Sequence, residues 1–211
     1  MNPRKIIIDC DPGHDDAVAI LLALASPEEI NILGITCVAG NVPIEMTTKN
    51  ALRVCELAEC CSTNVYQGCA RPIVRDLVTA EYVHGDTGLD LPRGRVLPEP
   101  KMARQKEHAV DFIIDTLLSE PEGMVTLCVL GPQTNVAMAF IKEPAIISRI
   151  REVICMGGSA ISPGNVTPSA EFNFYVDPHA ASVVFRSGVP ITMMGLDVTH
   201  QVLVTKDRQK K

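Results

Sequence analysis

Positive charge is in the minority in this chain: 19 Lys and Arg stand against 25 Asp and Glu, for a net charge of −6 over 211 residues. A protein that holds nucleic acid or an anionic membrane needs a basic face, so neither is an expected partner. Long apolar runs are missing too. The longest, residues 17–25, falls far short of the roughly 18 residues needed to span a bilayer. The opening MNPRKIIIDCDP has too few apolar residues for the core of a secretory signal, which is about 7–15 residues long. The chain therefore reads as soluble, unexported and cytoplasmic.

Paired C-x-x-C spacing does not occur among the eight cysteines, which argues against a zinc site or a thioredoxin-type motif. Cys10, Cys37, Cys128 and Cys155 sit inside apolar, strand-like runs. A thiol there behaves as a small hydrophobe, so reduced core cysteines are expected. No repeat and no low-complexity linker interrupts the sequence. Domains usually hold about 100–200 residues, and one domain over residues 1–211 is expected.

What is present is an alternation of two patterns. Short β-rich or continuously apolar runs at 5–11, 30–38, 65–68, 124–130, 153–156 and 191–196 predict strands. Helical stripes at 15–25, 47–58, 108–119, 133–141 and 178–186 predict helices between them. Residues 69–107, rich in Pro, Gly and charge, predict a long functional connection, and a polar loop is expected from 157 to 177. Strands alternating with helices imply an α/β fold, with a mostly parallel central sheet and helices on both faces. Strands buried on both faces should be almost wholly apolar, as these are.

The first strand-to-helix junction carries unusual charge. Asp9, Asp11, Asp15 and Asp16 fall within eight residues, with no Lys or Arg between them. In open α/β sheets ligands bind beyond the carboxyl ends of strands, where this junction lies. Asp9 and Asp11 share a face if the strand stays extended that far. Asp11 precedes Pro12, which keeps it out of helical geometry. Helix capping explains one or two aspartates, at about 0.3–1 kcal/mol each. It does not explain four, because carboxylates about 5–6 Å apart repel by roughly 3 kcal/mol per pair at an effective dielectric near 20. Either protons or a cation must offset that repulsion. Oxygen ligands point to a hard divalent ion, and spacing alone does not choose between Ca²⁺ and Mg²⁺.

The stretch DCDPGHDDA at 9–17 resembles the N-terminal signature of the inosine-uridine-preferring nucleoside hydrolase family. The likeness continues in order through VAGN (38–41), HGDTGL (84–89), MGG (156–158), AEFNFYVDP (170–178) and GLDVTHQ (195–201). The resemblance implies the Rossmann-like nucleoside hydrolase fold. It also implies calcium-dependent hydrolysis of the N-glycosidic bond of ribonucleosides, by a homo-oligomer, dimer or tetramer. It makes Asp11 the general base that takes a proton from water. It places calcium among Asp9, Asp11, Asp16 and the backbone carbonyl of Leu130. Asp15, Asn41, Glu171 and Asn173 fall at ribose-binding positions, Met156 lines the sugar pocket, and His84 lies near the leaving base. The chemistry is coherent, since an oxocarbenium-like transition state gains from surrounding carboxylates.

Elsewhere the pattern breaks. The family carries a later His-Asp pair that supplies another calcium and ribose ligand, and no such pair follows Gln201. The chain is therefore expected to be truncated at its C-terminal side, with an apolar surface left open and a weakened metal site. A ribose- or calcium-binding remnant without turnover is the competing expectation. A haloacid-dehalogenase-like phosphohydrolase, which also opens on D-x-D after a strand, fits less well. It calls for Thr or Val where Gly13 stands and leaves Asp15 and Asp16 without a role.

Overall fold

A computed structural model describes residues 2–95 and 97–208. Six parallel strands form one sheet: β1 Arg4–Cys10, β2 Ile30–Cys37, β3 Val65–Gln67, β4 Val125–Val129, β5 Ile150–Met156 and β6 Ile191–Met194. Their order across the sheet is β3-β2-β1-β4-β5-β6. The chain thus builds outward from β1 on one side, then returns to add β4 on the other. That reversal opens a crevice at the carboxyl ends of β1 and β4, where open α/β sheets bind ligands.

Alternation along β1 shows how the layers form. Ile6, Ile8 and Cys10 pack with Ile20 of α1 (His14–Leu24) and Ala51 and Val54 of α2 (Ile44–Leu57). Ile7, between them, points to the other face. There it joins Ile113 of one helix (Ala109–Ser119), Val136 of a second (Thr134–Lys142) and Val184 of a third (Pro178–Phe185). Helices cover both faces, as the sequence pattern predicts. The α1 side is covered less completely. Beyond β1, Cys128 on β4 and Ile154 on β5 are only half-buried, and Met194 on β6 is exposed. Val18 and Leu22 of α1 turn 65% and 68% of their surface outward.

Several boundaries differ from the sequence reading. Helix α2 begins at Ile44, directly after Pro43; proline at a helix start gives up no hydrogen bond, so Pro43 marks a beginning. Strand β5 starts at Ile150 rather than 153, because Glu152 faces the less covered side and binds Arg4 at 3.2 Å. The 69–107 connection holds a helical turn, α3 (Glu81–His84). Ala109–Ser119, Thr134–Lys142, Phe172–Val176, Pro178–Phe185 and Leu196–Thr199 are α4 to α8. Of these, α6 (Phe172–Val176) lies in the expected polar loop, and α8 (Leu196–Thr199) takes the end of the run expected to be strand. Cys10, Cys37 and Cys155 are buried, and all eight thiols are free. Among the described residues no helix is long and apolar enough to cross a membrane.

Candidate active site

The floor of the crevice is made by the ends of β1 and β4. The ladder continues past β1 through Val38 N donating to Cys10 O (3.0 Å) and Leu130 N to Asp9 O (2.7 Å). Residues 9–11 are thereby clamped between two neighbours. Asp9 is buried in register with Thr36. Its Oδ1 accepts from Thr36 Oγ1 at 2.6 Å and from Asn135 Nδ2 at 2.8 Å. Strand β1 ends at Cys10, so Asp11 belongs to the turn instead of the strand face. Its Oδ2 accepts from the backbone amide of Asn41 at 2.7 Å, while Asn41 Nδ2 donates to the Asp11 carbonyl at 3.0 Å. A Cβ at Gly40 would overlap Asp11 Oδ2, and one at Gly131 would overlap Oδ1. Only glycine lets both loops close on that carboxylate. Asp16, in the first turn of α1, accepts from Gly13 N at 3.2 Å through Oδ2.

Each of these three carboxylates keeps one buried oxygen without a partner: Asp9 Oδ2, Asp11 Oδ1 and Asp16 Oδ1. Burial pushes the Asp9 carboxyl up to about 6. Burial, reinforced by Asp15, pushes Asp16 up to about 7. Burial and then the charge of Asp16 raise Asp11 well above the usual carboxylate range. No Lys or Arg is among the described residues lining the crevice to answer this charge. Buried anions without a cation are costly, and a metal ion is the ordinary remedy.

The donors suit a hard divalent cation: three carboxylates with free oxygens, and the Leu130 carbonyl lining the same crevice. Among the described residues, however, no three His, Cys, Asp or Glu side chains form a ready-made metal cluster. The chemistry of the donor set fits such an ion, and a preassembled cage is not present.

The opposite wall comes from α6. Glu171 caps α6, and Asn173 lies in its first turn. Glu171 Oε2 accepts from Gly158 N (2.8 Å), Asn173 N (3.0 Å) and Phe174 N (3.3 Å). Burial raises its pKa against the pull of those three amides. Asn173 Nδ2 donates to the carbonyls of Leu130 (2.8 Å) and Met156 (3.1 Å), tying the ends of β4 and β5 together.

The rim opposite is α3 with the loop behind it. Buried Asn50 of α2 donates to the carbonyls of Pro12 (3.1 Å) and Thr87 (2.7 Å), so the Asp11 turn and the loop after His84 rest on one amide. Together these walls enclose about 230 Å³. Asp11, Asp15, Asp16, Asn41 and His84 line it, as do Leu130, Met156, Glu171 and Asn173. Asp9 alone of the anticipated residues lies beneath the lining.

The structure adds residues that sequence reasoning passed over. Tyr82, Val83, Asn165 and Phe172 also line the crevice, and Thr36 and Asn135 hold Asp9 from behind. For Asn135 a signal existed, since it opens a helix just past the end of β4. Thr36 sits in an apolar run and gave none.

A family model described as inosine-uridine preferring nucleoside hydrolase matches residues 6–211. An uncharacterized protein of Schizosaccharomyces pombe is 52% identical over 204 residues, covering 97% of this chain and 64% of its own length. The pyrimidine-specific ribonucleoside hydrolase RihB of Escherichia coli O157:H7 is 52% identical over 209 residues, covering 98% and 64%. A purine-preferring ribonucleoside hydrolase from Gardnerella vaginalis superposes with TM-score 0.91 at 38% identity, over 98% of this chain and 65% of that one. A plant nucleoside hydrolase gives TM-score 0.90 at 37% identity, over 99% and 64%. The chain thus spans about 64% of the length of the curated relatives it matches.

Proposed function

Because the chain belongs to the inosine-uridine preferring nucleoside hydrolase family, we propose that its crevice hydrolyses the N-glycosidic bond of a ribonucleoside, with calcium, to ribose and free base. The observation that carries this reading is the trio of orphaned carboxylate oxygens, on Asp11 and Asp16 in the crevice and on Asp9 beneath it, with no Lys or Arg in the described lining. Asp9, Asp11, Asp16 and the Leu130 carbonyl would hold the ion. When bound, calcium supplies a more acidic water and a hard site for sugar hydroxyls.

The rest is work for the chain's own groups. Asp11 is anchored through Oδ2 by Asn41, which leaves Oδ1 to take the proton from the attacking water. Asp15, Asn41, Glu171 and Asn173 orient the ribose through its hydroxyls, and Met156 packs beside it. As the glycosidic bond breaks, positive charge grows on the sugar, and the carboxylates of Asp15 and Glu171 favour it. His84 lies at the end where the base departs. The 52% identity to a pyrimidine-specific relative points to uridine and cytidine as substrates. Eight free thiols support a reducing, cytoplasmic setting. Assembly as a dimer or tetramer follows the same family likeness, and light scattering checks it.

The test is reducing-sugar release from inosine, uridine, cytidine and adenosine, with and without a chelator. Calcium-dependent release of ribose from at least one nucleoside is expected. Phosphate release from a phosphomonoester without any sugar product would sink the reading. A second reading is binding without turnover, which the ribose-facing groups Asp15, Asn41, Glu171 and Asn173 would allow. Calorimetric heats with calcium and ribose, and no sugar release, would favour it.

A further inference from the structure

Neither the catalytic scheme nor the metal uses His14, the first residue of α1. It is exposed, yet both its ring nitrogens are engaged by one loop. Nε2 lies 3.0 Å from the Asp90 carbonyl, and Nδ1 lies 3.4 Å from Nδ1 of His84. The two rings stack with centroids 5.7 Å apart. The partner loop is held shut. Gly88 N donates to Gly85 O at 3.0 Å, and Asp90 Oδ1 accepts from Thr87 Oγ1 at 2.5 Å. Gly85, at φ +81°, makes the turn, and a Cβ there would strike Asp90. His14 therefore clasps the 84–90 loop to the catalytic turn.

We propose that His14 is a positioning residue which fixes the ring orientation and tautomer of His84, and through it the choice of base. The claim rests on the nucleoside reading of the crevice. A carbonyl oxygen can only accept, so Nε2 of His14 carries a hydrogen. In the neutral ring Nδ1 is then bare, and the hydrogen in its contact with His84 belongs to Nδ1 of His84. That leaves Nε2 of His84, which has no protein partner among the described residues, as a hydrogen-bond acceptor. An acceptor there suits a base edge that carries a ring N–H, as uracil does at N3 and cytosine does not. The backbone amide of His14, 3.5 Å from the same His84 nitrogen, would favour the opposite tautomer. Both contacts are long, and the ring contact, at 3.4 Å against 3.5 Å, is the shorter and the one that His14→Ala removes.

The chain labelled with ¹⁵N-histidine, without nucleoside and at pH 8, reports the tautomer directly. His84 is expected as Nδ1–H in the unaltered protein, as a shift toward Nε2–H in His14→Ala, and as Nδ1–H again in His14→Gln. The glutamine amide can give to Asp90 and accept from His84. His84 found as Nε2–H in the unaltered chain, or unmoved by His14→Ala, overturns the proposal whether or not the chain turns over nucleosides. In turnover, His14→Ala should lower the kcat/KM ratio of uridine to cytidine by about fivefold, the worth of one hydrogen bond. An unchanged ratio in an active protein counts against the proposal. Absence of all turnover alongside the expected tautomer shift counts against the nucleoside reading alone.

Discussion

The two sides of the crevice are built on opposite principles. On the acidic side, Asp9, Asp11 and Asp16 are buried, and each is gripped through one oxygen by backbone or by side chains of neighbouring strands. On the rim side, α3 presents Tyr82 and Val83, which are 75% and 61% exposed, from a single helical turn in a long connection. One side is set by the parallel sheet and tolerates almost no displacement. The other rests on surface loops, where insertion and substitution are cheap. A fold divided this way can keep its chemistry fixed while its choice of base drifts, and relatives named for pyrimidine specificity and for purine preference both match this chain.

If that contrast is right, the largest effect of any substitution comes from Asp11→Asn. It keeps the shape and removes the proposed base. General-base catalysis contributes about 10²–10⁴-fold, so kcat for nucleoside hydrolysis should fall by roughly that factor. Without calcium the melting temperature should hold or rise, because a carboxyl whose ionisation burial and Asp16 oppose is replaced by a neutral amide. Near-normal turnover in Asp11→Asn would break the contrast at its centre. Next comes Gly131→Ala, whose methyl would collide with Asp11 Oδ1. Overpacking costs about 1–3 kcal/mol, and it lands on the oxygen assigned to the proton. Kinetics and thermal melts together should show activity lost out of proportion to stability; equal losses would mean that the site is no more sensitive than ordinary core.

Calcium tests the acidic side without mutation. A ligand that binds only the native state stabilises it by about 2.7 kcal/mol at a hundred times its dissociation constant. Melting should therefore rise with calcium, and Thr36→Val should weaken that response. Thr36 holds Asp9 at 2.6 Å, and loss of such supporting groups commonly costs about 10–100-fold in metal affinity. A melting temperature indifferent to calcium would leave the three orphaned oxygens without their proposed role.

The same division explains what the sequence revealed. The alternation of apolar runs and helical stripes implied the parallel sheet with helices on both faces. Four aspartates at the first strand end marked the acidic side, because charge crowded beyond local use needs a cause. Short-range pattern could not show that Thr36 and Asn135 reach Asp9, since those contacts span 27 and 126 residues. Nor could it find α3 or α6, single turns with too few residues for a helical period. Glu171 illustrates the limit. The residue is a helix cap, and its partner Gly158, 13 residues away, depends on tertiary folding. His14 is exposed, and only its distance to Asp90 gives it a task.

The smallest effect should come from the rim. Tyr82 has three-quarters of its surface exposed while lining the crevice, so little of the fold depends on it. Surface substitutions of this kind usually change stability by less than about 0.5 kcal/mol. A ring at the mouth of the crevice can still pack on a flat base, and aromatic contacts contribute about 0.5–1.5 kcal/mol beyond buried area. Tyr82→Ala should therefore raise KM by a few-fold, unequally among inosine, uridine and cytidine, with kcat and the melting temperature nearly unchanged. A large fall in kcat would show that the rim takes part in the chemistry, and the line drawn between the two sides would have to move. A uniform KM change across the bases would leave that line in place but take base choice away from Tyr82.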